Sequence, residues 1–401
     1  MKTTFLQYPF QGKKVLIRVD FNVPLDKKTF EITDDTRIRL ELPTINHILD
    51  SGGSVILMSH LGRPKGVDPN FSLKHILPYI QNTFKSNKVE FASDCIGESA
   101  KNKAAELEPG QILLLENLRF YKEEEQGDPL FAKKLADLGD VYVNDAFGTA
   151  HRAHASTAVI ADYFSAANRL FGLLMESEIT QANKVLINAQ LPFTAILGGA
   201  KVSDKIQLIE NFLFRINKLI IGGGMAFTFV KALGGNVGNS LCEMEQIDLV
   251  KNILDKAKEK GVKIYLPIDI VAADKFDNNA ETKVVDCYEV PDGWMGLDIG
   301  FKTIRYFTEV VESSKTILWN GPMGVFEMSS FQSGTSEIAH AVANATKNNG
   351  AFSLVGGGDS IAAVNKFSLA NNISFISTGG GAMLEYLEGK DLPGILAIQK
   401  P

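Results

Sequence analysis

Apolar residues in this chain come in short unbroken runs, and the stretches between them carry helical periodicity. In the first half the runs are VLIRVDFNV (15–23), SVILMSH (54–60), KVEFA (88–92), ILLLEN (112–117) and VYVNDA (141–146). Continuous short runs, rather than alternating ones, predict strands buried on both faces. The stretches 36–51, 72–86 and 128–138 predict helices. The second half repeats the style with FTAILG (193–198), KLIIGG (218–223), KIYLPIDIV (263–271), TILWN (316–320), AFSLVGG (351–357) and SFIST (374–378). Helices are expected there over 203–215, 242–260, 333–347, 359–367 and 381–389. Strands alternating with helices predict βαβ units, and so an α/β fold of doubly wound parallel sheets.

The 401 residues exceed the roughly 250–300 at which one hydrophobic core stops growing, so two domains are expected. No Pro- or Ser-rich linker separates them. The segment 170–190 reads as a helix, which predicts a stiff connection. The domains are therefore drawn as 1–172 and 189–387, with a hinge helix over 173–188 and a tail over 388–401.

In open parallel sheets ligands bind beyond the carboxyl ends of the strands. Polar and glycine residues collect at those ends here. Asp20 and Asn22 end the first strand, His60 the second, and Asn144 and Asp145 another. In the second half GGG (222–224), Asn320 and GGGDS (356–360) stand in the same positions. Each half thus has its own ligand edge, which predicts two substrates.

Composition narrows the chemistry. The net charge of −6 favours neither nucleic acid nor an anionic membrane. Of the nine arginines, at 18, 37, 39, 63, 119, 152, 169, 215 and 305, seven precede residue 170. The first half is thus enriched in the side chain best shaped for carboxylate and phosphate. Cys95, Cys242 and Cys287 are odd in number and far apart, which predicts a reducing compartment. The N-terminus lacks an apolar signal segment, and no run approaches about 18 apolar residues. A cytoplasmic protein is expected.

Three glycine-bearing turns from strand to helix recur: LGGAKVSDK (197–205), IIGGGMAF (220–227) and VGGGDS (355–360). Glycine lets backbone N–H groups approach a phosphate, and a following helix N-terminus adds positive dipole. Lys201 and Lys205 are four apart and would share a helix face over a phosphate chain. One such turn is ordinary in any α/β protein; three with a lysine pair point to a phosphate site. Neither G-x-x-x-x-G-K-[ST] nor G-x-G-x-x-G occurs, which argues against a Walker-type NTPase and a nicotinamide dehydrogenase. In the first half, Arg37, His60, Arg63, Arg119 and Arg152 lie at strand ends or in adjacent loops. A lone arginine is ordinarily solvated, but a cluster of them can grip phosphate and carboxylate bidentately. Asp20 and Asn22, two apart on a strand, can point to one side. A binding protein that closes on an anionic solute would need no nucleotide turns.

The strings RVDFNVPL (18–25), SHLGRP (59–64), LLLENLRFYKEEE (113–125), VNDAFGTAHRAHAS (143–156), ILGGAKVSDKI (196–206), LWNGPMGVFE (318–327), GGGDS (356–360) and STGGGAMLEYLEGKDLPG (377–394) resemble the phosphoglycerate kinase family, in order and end to end. The resemblance implies a phosphoglycerate-binding N-terminal domain to which the tail 388–401 returns, and a nucleotide-binding C-terminal domain. It implies reversible phosphoryl transfer between 1,3-bisphosphoglycerate and ADP, giving ATP and 3-phosphoglycerate. Its substrate residues map onto Asp20, Asn22, Arg37, His60, Leu61, Gly62, Arg63, Arg119 and Arg152. Its nucleotide residues map onto Lys201, Lys205, Gly296, Asn320, Glu327, Gly357, Gly358, Asp359 and Ser360. Asp359 is the implied partner of Mg²⁺, through the nucleotide, and a monomer is implied. Two positions depart from the family: Ser360 stands where Thr is usual, and Phe301 where Pro is usual. Arg37 and Lys201 are expected to be catalytic, holding the migrating phosphoryl group. Closure about the 170–190 helix is expected, because donor and acceptor belong to different domains.

Overall fold

The computed structural model describes residues 4–401, so residues 1–3 of the expected first domain lie outside it. The chain divides into two compact units, one of residues 1–179 with 390–401 and the other of 180–389. The division falls inside helix Leu173–Leu186.

The first unit holds a six-stranded sheet. Its spatial order is Val89–Phe91, Ile112–Leu114, Ser54–Met58, Lys14–Arg18, Val141–Asn144, Arg169–Phe171, and every neighbouring pair is parallel. Successive strand residues face opposite ways. Leu16, Ile56, Leu113 and Tyr142 join one buried cluster; Val15, Ile17, Val55, Leu57, Leu114, Val141 and Val143 join the other. Both faces are covered, which is why the strands read as unbroken apolar runs. The chain reverses its winding between Lys14–Arg18 and Val141–Asn144, so the switch point opens just past Arg18 and Asn144.

The second unit repeats this plan. Its parallel order is Lys263–Tyr265, Lys218–Ile221, Phe193–Leu197, Thr316–Asn320, Phe352–Val355, Phe375–Ile376. The switch point lies between Phe193–Leu197 and Thr316–Asn320. An antiparallel three-stranded sheet of Asp269–Ala273, Thr282–Asp286 and Met295–Ile299 stands apart from it.

Several expectations are corrected. KIYLPIDIV is not one strand: Pro267 lacks an N–H for the ladder, and the halves Lys263–Tyr265 and Asp269–Ala273 enter different sheets. Residues 72–86 are not one helix but a 3₁₀ turn, Leu73–His75, then Leu77–Thr83. The segment expected as helix from 170 begins as the edge strand Arg169–Phe171, because Tyr142–Asn144 offers it a partner. Helix Phe301–Glu312 starts at Phe301 without the usual Pro: the Asp269 carboxylate accepts from the N–H groups of Lys302 (3.1 Å) and Thr303 (2.7 Å).

The tail forms helix Pro393–Gln399 on the first unit. Gly394 N donates to Ala150 O at 2.8 Å, and Arg169 Nη2 donates to Lys400 O at 2.7 Å.

Candidate active site

The carboxyl edge of the first sheet gathers a hydrogen-bonded arginine cluster. Arg37, on helix Thr36–Asp50, reaches back to the strand end: its Nη1 stands 3.0 Å from Asp20 Oδ2 and 3.2 Å from Asn22 O. The Asn22 side chain accepts from Gly62 N at 2.9 Å. The next strand's loop thereby docks on the first. Gly62 sits at φ 65°, and a Cβ there would fall 2.2 Å from the Phe71 ring, so only glycine makes this turn. Arg119 Nη1 donates to Gly62 O at 2.8 Å and Nε pairs with Glu125 at 3.2 Å. Leu61 is buried, and its carbonyl accepts from Asn117 Nδ2 at 2.8 Å.

Behind this surface lies a residue the sequence reading did not select. Arg18 is 1% exposed. Its Nε donates to Ser156 Oγ at 2.9 Å and its Nη2 stands 3.1 Å from His60 Nδ1. The buried Glu124 accepts from Ser156 Oγ at 2.6 Å and Ser156 N at 3.0 Å. Burial, then the charges of Arg18, Arg119 and Arg37, push the His60 imidazole well below its ordinary range. A neutral His60 that accepts at Nδ1 carries its proton on Nε2. His154, also missed, is pushed down to about 4 by burial and by the charges of Arg18, Arg119 and Arg152. A buried strand-end arginine had no periodic or motif signal of its own; RVDFNVPL contained it only as text.

Of the predicted first-half residues, hydrogen bonds join Asp20, Asn22, Arg37, Gly62 and Arg119, and Arg18 ties in His60. Arg152 faces Arg119 by charge and contacts His151 at 3.2 Å. Arg63 is exposed and follows Gly62 in the chain.

The second edge is built from glycine turns. Gly198, Gly223 and Gly321 pack backbone on backbone. A Cβ on Gly198 would meet Pro322 O at 2.1 Å, and one on Gly223 would meet Gly199 N at 2.6 Å. Part of the glycine content therefore serves turn-on-turn packing rather than phosphate approach. Gly358, by contrast, is open, and it begins helix Gly358–Lys366 with Asp359 exposed in its first turn. Asn320 Nδ2 donates to Gly356 O at 2.7 Å, and the Asn320 side-chain oxygen takes the Lys205 ammonium. Burial lowers Lys205 from its ordinary value. Ser360 is buried and its hydroxyl accepts from Gly321 N at 2.6 Å.

The lysine pair is corrected. Residues 201–205 are not helical; the helix begins at Ile206, with Lys205 at its cap. Lys201 is exposed, so the two do not share a helix face.

A cavity of about 520 Å³ opens beside these turns. Gly296, Glu327 and Asp359 line it, with Phe227, Leu241 and Met295 supplying apolar wall. A Cβ on Gly296 would fall 2.1 Å from the Phe227 ring and 2.7 Å from Ile270 Cδ1. The cavity is apolar and glycine-lined at one end, with the helix residue Asp359 at the other, which suits a base and its phosphates.

The phosphoglycerate kinase family model matches residues 6–390. The chain belongs to the phosphoglycerate kinase family. It is 54% identical to a phosphoglycerate kinase of Porphyromonas gingivalis, over 99% of this chain and 100% of that protein. It is 53% identical to the cytosolic phosphoglycerate kinase of Nicotiana tabacum, over 97% of this chain and 96% of that one. The solved phosphoglycerate kinase of Coxiella burnetii superposes with a TM-score of 0.89 at 41% identity, covering 98% of this chain and 97% of its own. That of Pyrococcus horikoshii gives 0.83 at 32%, covering 100% and 98%. As a phosphoglycerate kinase family member, the chain is a glycolytic phosphotransferase with a carboxyl group as acceptor, using ADP and ATP.

Proposed function

We propose that the arginine edge of the first unit holds the phosphoglycerate and the glycine edge of the second holds the nucleotide. The observation carrying this reading is the hydrogen-bonded set Asp20–Arg37–Asn22–Gly62–Arg119, backed by neutral His60. Its exposed rim is cationic, and its buried members are locked before substrate arrives. His60, Arg63, Arg119 and Arg152 grip the substrate's distal phosphate. Asp20 and Asn22 orient its hydroxyl and carboxylate end.

The acceptor carboxylate is ionised by its own pKa, so no general base is required. The chain's task is alignment and charge neutralisation. Arg37 and Lys201 hold the migrating phosphoryl group; Arg37 is half-exposed and free to turn from Asp20 toward it. Lys205 lies on the nucleotide phosphates beside the open N-terminus at Gly357–Asp359, with Asn320 and Ser360 fixing that turn. Gly296 and Glu327 line the pocket for the nucleoside. Among the described residues no cluster of three metal-ligating side chains occurs. The single exposed carboxylate of Asp359 therefore fits Mg²⁺ held through nucleotide phosphates, where the ion supplies charge neutralisation. Attack requires donor and acceptor within about 3–3.5 Å, so groups on the two units must approach during turnover. The reading places the enzyme in the cytoplasm as a monomer. Among the described residues no helix is long and apolar enough to cross a membrane.

The test is 3-phosphoglycerate-dependent ATP consumption, coupled to glyceraldehyde-3-phosphate dehydrogenase and followed as NADH loss, in wild type and Arg37→Ala. A loss on the order of a hundredfold or more in the variant is expected. Unchanged turnover would remove Arg37 from the mechanism.

A further inference from the structure

Two carboxyl groups are buried behind the arginine edge, and neither is used by the reaction. Glu41 lies on helix Thr36–Asp50, and Asp145 just past strand Val141–Asn144; both are 0% exposed. Their side chains lie within hydrogen-bonding reach of each other. One oxygen of each is otherwise fully employed. Glu41 Oε1 accepts from Asp20 N at 2.8 Å, and Asp145 Oδ1 accepts from Met175 N at 2.9 Å. The other two oxygens, Glu41 Oε2 and Asp145 Oδ2, have no donor. Buried acceptors without donors are rare in folded proteins.

We infer that Glu41 and Asp145 share one proton, carried by Glu41 Oε2 and donated to Asp145 Oδ2, and that this bond positions Asp20 for substrate. Proton placement follows from the surroundings. Burial pushes Asp145 up to about 6 as well, but it faces the first turn of helix Leu173–Leu186, where the Thr44 hydroxyl, Met175 N and Leu174 N oppose that rise and favour its charged form. Glu41 has only the Asp20 amide, and it faces the charges of Asp145 and Asp20. Burial and these charges raise Glu41 well above the carboxylate range. Glu176 is a further acid near Asp145, and Arg37 pairs with Asp20 at the other end of the chain of bonds. One proton satisfies both orphaned oxygens at once. The packing is made for it: a Cβ on Gly172 would lie 2.3 Å from Asp145 Cγ. The result is an unbroken series from Arg37 through Asp20 and Glu41 to Asp145 and the helix start. Glu41 and Asp145 are positioning residues.

This inference rests on the reading of Asp20 as a substrate contact, and the two are tested separately. Infrared spectroscopy of the full chain at pH 7 reads the proton without substrate. A protonated-carboxyl component is expected in wild type and lost in Glu41→Gln, while the component from Asp298 remains in both. Kinetics read the positioning. Glu41→Gln retains both bonds, its amide donating to Asp145 and its oxygen accepting from Asp20 N, so its KM values should stay near wild type. Glu41→Ala should raise KM for 3-phosphoglycerate on the order of tenfold while the nucleotide KM holds. No band removed by Glu41→Gln would overturn the shared proton. Glu41→Gln as damaging as Glu41→Ala, or both KM values rising together, would overturn the positioning role. Should Glu41→Ala fail to fold, the band and the Glu41→Gln kinetics decide. A band lost with substrate KM unmoved in Glu41→Ala would keep the proton and reject Asp20's role.

Discussion

Arg18 Nη2 stands 3.1 Å from Nδ1 of His60, and the contact is buried. A guanidinium has no acceptor, so it can only donate. The imidazole is therefore held neutral with its proton on Nε2. Removing the cation in Arg18→Met should raise the His60 pKa toward 6.5, read by NMR titration of the ring. The same change should weaken 3-phosphoglycerate binding on the order of tenfold.

Protonation of these histidines opposes folding. Their folded-state pKa values lie below the ordinary 6.5, that of His154 at about 4. Below pH 6.5 the unfolded chain binds more protons, so their contribution is present above that pH and is lost as pH falls toward 4. Thermal unfolding between pH 7 and 4 should show a falling Tm, and His154→Gln should flatten part of the slope.

Asp298 gives the opposite sign. Burial pushes its carboxyl up to about 7 although Gly334 N and Ile299 N donate to it at 2.8 and 2.9 Å. Between pH 4 and 7 the folded chain binds more protons than the unfolded one. Its contribution is fully present at the acid end and is lost as pH rises through 7. The Tm difference between Asp298→Asn and wild type should therefore shift in the variant's favour from pH 6 to pH 8.

A substitution at Gly296 should separate the two substrates. A methyl group there must displace the Phe227 ring, which it would approach to 2.1 Å, inside the second unit's cavity. Gly296→Ala should raise the nucleotide KM severalfold and leave that for 3-phosphoglycerate unchanged. Equal effects on both would count against the cavity as the nucleoside site.

Gly62→Ala should act on the other substrate. The left-handed turn at φ 65° and the 2.2 Å approach to Phe71 both exclude a side chain. A loss of about 1–3 kcal/mol of stability is expected from the strained conformation. It should come with a raised 3-phosphoglycerate KM, because Gly62 carries the bonds to Asn22 and Arg119.

Much of this molecule was legible in the sequence for a simple physical reason. Strands buried on both faces must be apolar throughout, so VLIRV, SVILM and TILWN announced a parallel sheet, and the polar residues after them marked its carboxyl edge. The clustering of arginines before residue 170 raised the expectation of an anion site. What sequence could not supply was direction and company. Lys201 and Lys205 read as helix-mates, but Lys205 caps the helix and turns to Asn320, a partner 115 positions away. The glycines near 198 and 223 read as phosphate cradles, yet close approach of their turns to each other and to the turn at Gly321 demands them. Arg18 lay inside an apolar run, Glu41 carried no signal of its own, and Asp145 read as a polar residue at a strand end. Only folding brings Arg18 to His60 and buries Glu41 and Asp145, because long-range packing removes water and leaves these polar groups only protein partners.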